Sequence, residues 1–375
     1  MIQSEMEPSV HKDSKRPLDS PSFSSKPLKT SRAEDREGEV AAEIEEKVRG
    51  ESLTIRSGNR SQRYLVSIEY IGTRFLGSQR QPNFRTVIGC LEKAFQKFVG
   101  QPVSIFCSSR TDTGVHALSN VCHVDVERIS KRKPGEILQP HEPDVVKKAV
   151  NHFLQKNEGD MMVVDVRCVP PDFHARYKAL ERTYFYRFLS GPEPLSVFER
   201  DRAWHIPEEL DILSIQEACK ILVGCHDFSS FRGSGCQAKS PIKTLDELHI
   251  SEVTPSLYFP STTERGIPNS SGEPLAFNVN TGPTPQGSFC SQNCASTDAS
   301  FGQRKSHRCY IITARAPSFL YHQVRLIVGV LKCVGMGNLT VNDVKKILDA
   351  KTVTASSAMA PSCGLYLGNV KYDLP

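Results

Sequence analysis

The chain has 375 residues, of which 38% are hydrophobic and 24% are charged, with a formal charge of +5. This length and balance are typical of a globular protein with a sizeable core, and no apolar run approaches the roughly 20 residues that a membrane-spanning helix needs. The composition therefore excludes a helical membrane protein. The mild basic excess is compatible with a polyanionic partner.

Residues 1–60 are rich in Ser, Pro, Lys and Glu and contain a single aromatic residue, Phe23. This composition predicts a disordered N-terminal tail. Its acidic residues are untypical of a mitochondrial transit peptide. The twelve cysteines of the chain form no Cys-x-x-Cys pair, which is typical of reduced thiols inside the cell. We expect a cytoplasmic or nuclear protein, and the tail leaves an organellar location open.

The hydrophobic pattern from residue 61 to residue 180 predicts a first round of α+β structure. We predict strands at Tyr64–Tyr70, Ile105–Cys107, Ser119–Asp125 and Met161–Cys168, and helices at Thr86–Val99 and Asp144–Leu154. The order strand, helix, strand, strand, helix, strand is the ferredoxin-like arrangement.

Residues 181–375 predict a second, similar round. We predict strands at Thr183–Leu189, Thr244–Val253, Cys309–Ala316 and Leu365–Leu367, and helices at Ser214–Val223, His322–Val334 and Val341–Leu348. The two rounds predict an α+β fold of two ferredoxin-like half-domains, 61–180 and 181–375. Their antiparallel sheets are expected to join edge to edge around a central basic cleft.

From about 260 to 305 the composition turns to Ser, Thr, Pro, Gly and Asn, which predicts a surface insertion between two paired strands. The nearest approach to a metal-ligand cluster lies here, with Cys290 and Cys294 followed by His307 and Cys309. Because these residues lie in or beside a flexible-looking insert, we expect no zinc site.

Arg110-Thr111-Asp112 lies on a loop between two of the predicted strands. Gly114 supplies the backbone freedom that a tight bend beside an active group needs. A nearby guanidinium favours an ionised carboxylate, so the loop suits covalent or base chemistry at neutral pH. The alternative is a solvated loop with a surface Arg–Asp pair.

Five short motifs resemble those of the TruA-type tRNA pseudouridine synthases, in the family's order. They are SRTDTGVHA at 109–117, FHAR at 173–176 with RTYFY at 182–186, FSSFR at 228–232 with GCQ at 235–237 and Pro241, FLYHQVR at 319–325, and GLYL at 364–367. The resemblance covers roughly residues 63–372 without the insert. Thr113 departs from the pattern, since the family usually has Ala there.

The resemblance implies that the protein converts uridine in tRNA to pseudouridine without a cofactor or a metal. It assigns the catalytic carboxylate to Asp112, and leaves open whether this group attacks C1′ of the ribose or removes a proton from C2′. The target uridine has to leave its stack. The family works mainly on the anticodon arm, at about positions 38–40 of the tRNA. Its members are homodimers, so we expect a homodimer here.

Further residues match functional positions of the family. Arg110 matches the arginine that takes the place of the flipped base, and Tyr184 matches the aromatic residue that packs on that base. Arg325 matches the arginine that pairs with the carboxylate, and Leu365 matches an apolar wall against the uracil ring. Considered by residue type alone, Tyr184 and Leu365 are equally well core residues.

Three more residues are candidates for contact with RNA. Phe173 and Arg176 are expected to shape or line the RNA cleft, although packing explains Phe173 equally well. His322 precedes Arg325 by three residues and is expected on the same helical face. It either reaches a phosphate or serves as a structural histidine.

Two other functions are compatible with parts of the sequence, an aspartic protease and a non-catalytic RNA-binding protein. Asp112-Thr113-Gly114 also occurs in aspartic proteases, but these need two carboxylates that share a proton, and the chain contains no second Asp-Thr-Gly or Asp-Ser-Gly. The stronger alternative is a non-catalytic RNA-binding or chaperone protein on the same fold. Asp112, Arg110, Tyr184 and Arg325 are all present, which favours an enzyme.

Overall fold

The computed structural model describes residues 61–253 and 307–374, apart from 134, 158 and 357. The predicted tail and the insert at 260–305 lie outside the described residues. The α-helices are α1 (Val87–Val99), α2 (Pro143–Asn157), α3 (Ile212–Leu222), α4 (Gln323–Gly335) and α5 (Val341–Ala350). The strands are β1 (Gln62–Tyr70), β2 (Ile105–Cys107), β3 (His116–Val126), β4 (Met161–Val169), β5 (Glu181–Ser190), β6 (Trp204–Ile206), β7 (Gly224–Asp227), β8 (Ile242–Leu245), β9 (Glu247–Val253), β10 (Arg308–Ala316) and β11 (Leu365–Lys371). In the described ranges, no helix has the length and apolar character needed to span a membrane.

A large, mostly antiparallel sheet carries this α+β fold. Its strand order is β4-β1-β3-β11-β5-β10-β9, with β2 beside β3 and β6 beside β5. The last strand, β11, pairs in parallel with β3 and antiparallel with β5. It therefore joins strands of the two predicted rounds into one sheet. β7 and β8 form a separate two-stranded sheet.

The helices form where apolar periodicity coincides with capping residues. At the start of α1 the Thr86 hydroxyl accepts a hydrogen bond from the Gly89 amide, and Gly100 ends the helix in the left-handed conformation. The buried face of α1 includes Leu91 and Phe95, one turn apart. A capping box between Thr340 and its third helical residue begins α5 in the same way.

Two apolar clusters lie against the sheet. One gathers residues of β1, β3, β4, α1 and α2, and the other gathers residues of β5, β9, β10, α3, α4 and α5. β11 contributes to both, since Leu365 belongs to the second cluster and Leu367 to the first. Tyr184 packs against both clusters. The Arg-Thr-Asp loop leads directly into β3, the strand with which β11 pairs in parallel.

The prediction of a single strand at Thr244–Val253 is wrong. Two strands, β8 and β9, are separated at Asp246, whose amide donates to the Arg315 carbonyl at 2.8 Å. β8 pairs with β7, whereas β9 pairs with β10. The strands β6 and β7, of three and four residues, were not predicted.

Candidate active site

The Arg-Thr-Asp loop lies between β2 and β3 on a network of buried polar side chains. The Tyr70 hydroxyl lies 2.8 Å from Thr111 Oγ1, and the Thr111 amide donates to Ser78 Oγ at 2.8 Å. The Asn120 amide group donates to the Tyr70 hydroxyl at 3.2 Å. Buried hydrogen bonds of this kind hold the loop backbone in one conformation. Tyr70, Ser78 and Asn120 were not predicted as part of the site. Tyr70 and Asn120 are polar residues at buried strand positions, and Ser78 is a buried polar residue in the loop after β1.

Gly114 makes the tight turn of this loop possible. Its φ is +80°, and a Cβ atom there would lie 2.6 Å from Ser362 Oγ. The Val115 amide donates to the Asp112 carbonyl at 3.2 Å across the turn. Only glycine fits this conformation and this close approach without strain.

Two basic side chains meet the Asp112 carboxylate. Its Oδ2 atom lies 3.2 Å from Arg325 Nη1 and 3.3 Å from His322 Nε2. Arg325 Nε also donates to the Ala360 carbonyl at 2.8 Å, so its guanidinium is held at two points. The Asp112 side chain is 23% exposed, whereas that of Arg325 is 12% exposed. The carboxylate is thus oriented by the protein and still open to a ligand.

The guanidinium that contacts Asp112 comes from a part of the chain 213 residues away. This is the pairing that the family resemblance implied for Arg325, and the motif itself had pointed to Arg110 as a nearby charge. The Arg110 side chain is exposed on the loop surface. It is placed to meet a ligand that approaches the loop.

His322 is the N-cap of α4 and not part of its first turn, as had been predicted. Its φ is +63°, in the left-handed region that residues other than glycine seldom adopt. Its ring stacks on Tyr321 with the centroids 3.6 Å apart. Gly233 leaves room for both rings, because a Cβ there would lie 2.9 Å from each. This geometry aims the imidazole at Asp112, which neither of the predicted roles had anticipated.

Tyr184 lies half-buried on β5, with its ring edge-on to Phe319 at 5.2 Å. Burial raises the pKa of Tyr184 to about 12, the Arg182 charge lowers it in part, and the Asp112 charge raises it. Tyr184 is therefore a neutral phenol at neutral pH.

Arg182 joins three parts of the site through backbone carbonyls. Its guanidinium donates to the carbonyls of Ser108, Arg176 and Pro317 at 3.2, 3.0 and 2.6 Å. These carbonyls belong to the start of the Arg-Thr-Asp loop, the second motif and the segment before α4. Arg182 stands within the second motif of the sequence, and no role was predicted for it.

The remaining candidates differ in exposure. Leu365 is 6% exposed and packs in the apolar cluster of β5. Phe173 is 5% exposed and lies 5.6 Å from the Tyr372 ring, which supports the packing alternative. Arg176 is exposed, and its guanidinium lies 5.9 Å from the centroid of the Tyr177 ring. Tyr177 is 70% exposed and was missed by the sequence analysis.

In the described part of the chain, no group of three or more His, Cys, Asp or Glu side chains is placed to hold a metal ion. Cys290 and Cys294 lie outside that part.

This arrangement suits a reaction on a polar substrate with a flat ring. An oriented carboxylate can act as a nucleophile or as a base, and a neutral phenol can pack on a ring and donate a proton. Asp112 Oδ2 faces two basic groups, which does not fit the proton-sharing pair of an aspartic protease.

Known proteins include a family and several relatives that this chain resembles. The profile of the family described as tRNA pseudouridine synthase matches residues 66–178 and 218–373. The chain is 37% identical over 311 residues to tRNA pseudouridine synthase A of Rhodospirillum centenum, an alignment that covers 83% of this chain and 100% of the relative. It is 36% identical to the protein of the same name from Paramagnetospirillum magneticum, covering 83% of this chain and 95% of that protein. For the protein of Parvibaculum lavamentivorans the identity is 35%, over 83% and 99%.

Proposed function

The chain belongs to the tRNA pseudouridine synthase family, and we propose that Asp112 is the residue that starts its reaction. The observation that carries this proposal is the contact of Asp112 Oδ2 with Arg325 and His322 on a loop that is still open to a ligand. Such a carboxylate is oriented and accessible at the same time.

The overall reaction conserves all atoms of the nucleoside. The N1–C1′ bond of uridine breaks, the base turns in place, and a C5–C1′ bond forms. The hydrogen on C5 leaves as a proton, and N1 takes up a proton from solvent. No electron is gained or lost, so the chemistry needs only a group that acts on the ribose, a pocket that retains the base and a route for protons.

The proposed roles follow from the positions of the side chains. Asp112 acts on the ribose, as a nucleophile at C1′ or a base at C2′, while Arg325 and His322 hold its carboxylate. Tyr184 packs on the uracil ring as a neutral phenol, and the buried Leu365 forms part of the pocket wall.

Two arginines are proposed to act on the RNA around the pocket. The exposed Arg110 occupies the space that the extruded base leaves in the stack. The exposed Arg176 binds the backbone at the edge of the cleft.

We also propose how the fold is divided into two half-domains. Two ferredoxin-like half-domains, 61–180 and 181–375, flank a central basic cleft; the strand order β4-β1-β3-β2 and the two apolar clusters support this division.

Uridines of the anticodon arm are the proposed targets, since a loose loop lowers the cost of extruding a base. A homodimer in the cytoplasm or nucleus is the proposed working form.

The test is release of tritium from tRNA that carries 5-tritiated uridine, combined with a binding measurement. Replacing Asp112 by Asn keeps the size of the side chain and removes its charge. We expect Asp112→Asn to lower release by about 10³-fold or more while binding the same tRNA. Undiminished release by this variant would reject the role of Asp112.

The same assay addresses the non-catalytic alternative, which the relatives do not favour. Tight binding without release by the wild-type protein, on a full set of tRNAs, would support that alternative. Pseudouridine mapping in RNA from cells with and without the protein would identify the modified positions.

A further inference from the structure

A groove opens at the far end of β3, away from the catalytic loop. It encloses about 430 Å³, within the usual range for a ligand site. We call it the basic groove, and its principal lining residues are Phe98, Arg128, Ile129, Lys131, Arg132 and His141.

The lining of the basic groove combines positive charge with an aromatic floor. Three cations, Arg128, Lys131 and Arg132, contribute to it, and none of its lining residues is acidic. The nearby Glu136 carboxylate lies 3.7 Å from Lys133, which compensates its charge. The residues that line the groove therefore present net positive charge to a polyanion, with Glu127 and Glu142 flanking the lining in sequence.

The floor is held in place by contacts with the core. The Phe98 and His141 rings lie with their centroids 4.8 Å apart, and the Tyr64 hydroxyl donates to the His141 carbonyl. Burial lowers the pKa of His141, so the ring is neutral at physiological pH. Two adjacent neutral rings offer a surface on which a nucleobase can stack.

The lengths of β3 and α1 give the distance between the groove and the active site. β3 runs from the catalytic loop to the groove, and its 11 residues span roughly 30 Å. α1 starts beside the loop, where the Val87 amide donates to Gly77, and its last turn carries Phe98 after roughly 20 Å. The groove and Asp112 therefore lie roughly 20–30 Å apart, which separates the two sites.

We propose that the basic groove binds the same tRNA as the active site, at a point remote from the target uridine. The three cations hold backbone phosphates, and the Phe98–His141 floor takes a base or a ribose. The proposal rests on tRNA being the substrate of this family. It assigns the groove to the body of the tRNA, because an isolated anticodon hairpin seated at Asp112 ends before reaching it.

The test compares full-length tRNA with the isolated anticodon hairpin. The variant Lys131→Gln/Arg132→Gln removes two charges whose side chains are exposed. A triple variant with Arg128→Gln removes all three charges. Because Arg128 Nη1 also donates to the Gln139 carbonyl at 3.0 Å, the triple variant could lose stability, and the double variant is therefore the main test. Lys220→Gln/Lys345→Gln, exposed cations of α3 and α5, is the matched control.

We expect the double variant to raise the Kd for full-length tRNA about tenfold and to leave the Kd for the hairpin unchanged. The slope of log affinity against log salt should fall by about 2 for full-length tRNA only. The control variant should change neither quantity. These are equilibrium binding measurements, so they stand whether or not Asp112 is the catalytic residue.

Three results would overturn the proposal. An unchanged Kd and salt slope for full-length tRNA would remove the groove from the RNA-binding surface. An equal loss for the hairpin would place the lost contacts at the active site. A change in particle mass by sedimentation, without a change in tRNA affinity, would identify the groove as a contact between subunits.

Discussion

The residues that contact Asp112 and orient its carboxylate come from distant parts of the chain. Arg325 Nη1 reaches it from α4, and the Ala360 carbonyl fixes the guanidinium from the segment before β11. A point charge alone would not reproduce this geometry, because the guanidinium uses two separate N–H groups. The orientation of the carboxylate is therefore a property of three chain segments.

Replacing Arg325 by Lys tests this two-point contact. The variant keeps the positive charge and loses one of the two anchoring bonds. We expect kcat to fall by about 10²-fold while the Kd for tRNA changes less than threefold. Single-turnover kinetics would measure both, and full kcat in the Arg325→Lys variant would show that charge alone suffices.

His123 provides a pH-dependent contribution to stability. It is 3% exposed, and its Nδ1 atom accepts a hydrogen bond from the Ala175 amide at 3.2 Å. Burial, aided by the charges of His174 and Arg63, lowers its pKa to about 3. Between about pH 6.5 and 3 the unfolded chain takes up a proton at this position and the folded chain does not. Falling pH in this window therefore lowers the free energy of unfolding.

His123→Asn should flatten that dependence. The Asn side chain can still accept from the Ala175 amide, and it does not titrate. We expect the free energy of unfolding to fall less steeply with decreasing pH than in the wild type, by at most about 1.4 kcal/mol per pH unit. Urea unfolding at pH 6, 5 and 4 measures the slopes. Parallel slopes for the two proteins would contradict a neutral buried His123.

At the scale of elements, boundaries follow from local signals wherever a cap is present. Thr86 and Gly100 delimit α1 as the sequence indicates, because their side-chain and backbone preferences act within one turn. The break between β8 and β9 has no such signal. Asp246 leaves the strand because its amide bonds to Arg315 of β10, and this partner is supplied only by the folded sheet.

The pairing of β2 with β3 places two cysteines directly opposite each other. Cys107 and Cys122 are partners in this register, and the bond from the Ser108 amide to the Val121 carbonyl identifies them as a non-hydrogen-bonded pair. The Cα atoms of such a pair lie about 4.5 Å apart, within the range of disulfides. A hydrogen bond to Cys107, together with burial, raises the pKa of the Cys122 thiol.

We expect oxidised glutathione to form a Cys107–Cys122 disulfide. The half-buried Cys107 attacks one glutathione sulfur, and Cys122 then displaces the second glutathione, so two thiols are oxidised as one disulfide is reduced. Peptide mapping by mass spectrometry should find the cross-link in the wild type. Cys122→Ala should instead retain glutathione on Cys107, and equal adducts in both proteins would contradict the pairing.

At the scale of the whole molecule, β11 couples the two apolar clusters. Leu365 belongs to the cluster of β5, and Leu367, which is fully buried, belongs to the cluster of β1. The single tryptophan, Trp204, packs at the edge of the cluster of β5. Fluorescence of Trp204 therefore reports on the cluster that does not contain Leu367.

Leu367→Ala tests whether the clusters unfold together. The lost side chain leaves a cavity, and we expect the free energy of unfolding to fall by about 2–5 kcal/mol. If the sheet is one cooperative unit, the Trp204 transition should move to lower denaturant together with far-UV circular dichroism. A Trp204 transition that stays in place would divide the molecule into two independently stable parts.

The sequence by itself determined the family, the α+β class and most helix and strand positions, because periodicity, caps and short motifs act over a few residues. It also singled out Asp112, Arg325 and Tyr184 through their motifs. Only the tertiary structure decided that His322 turns toward Asp112 in a left-handed conformation, that Arg182 ties three backbone segments together, and that Phe173 is buried. These facts depend on contacts between residues far apart in the chain, which no local pattern encodes.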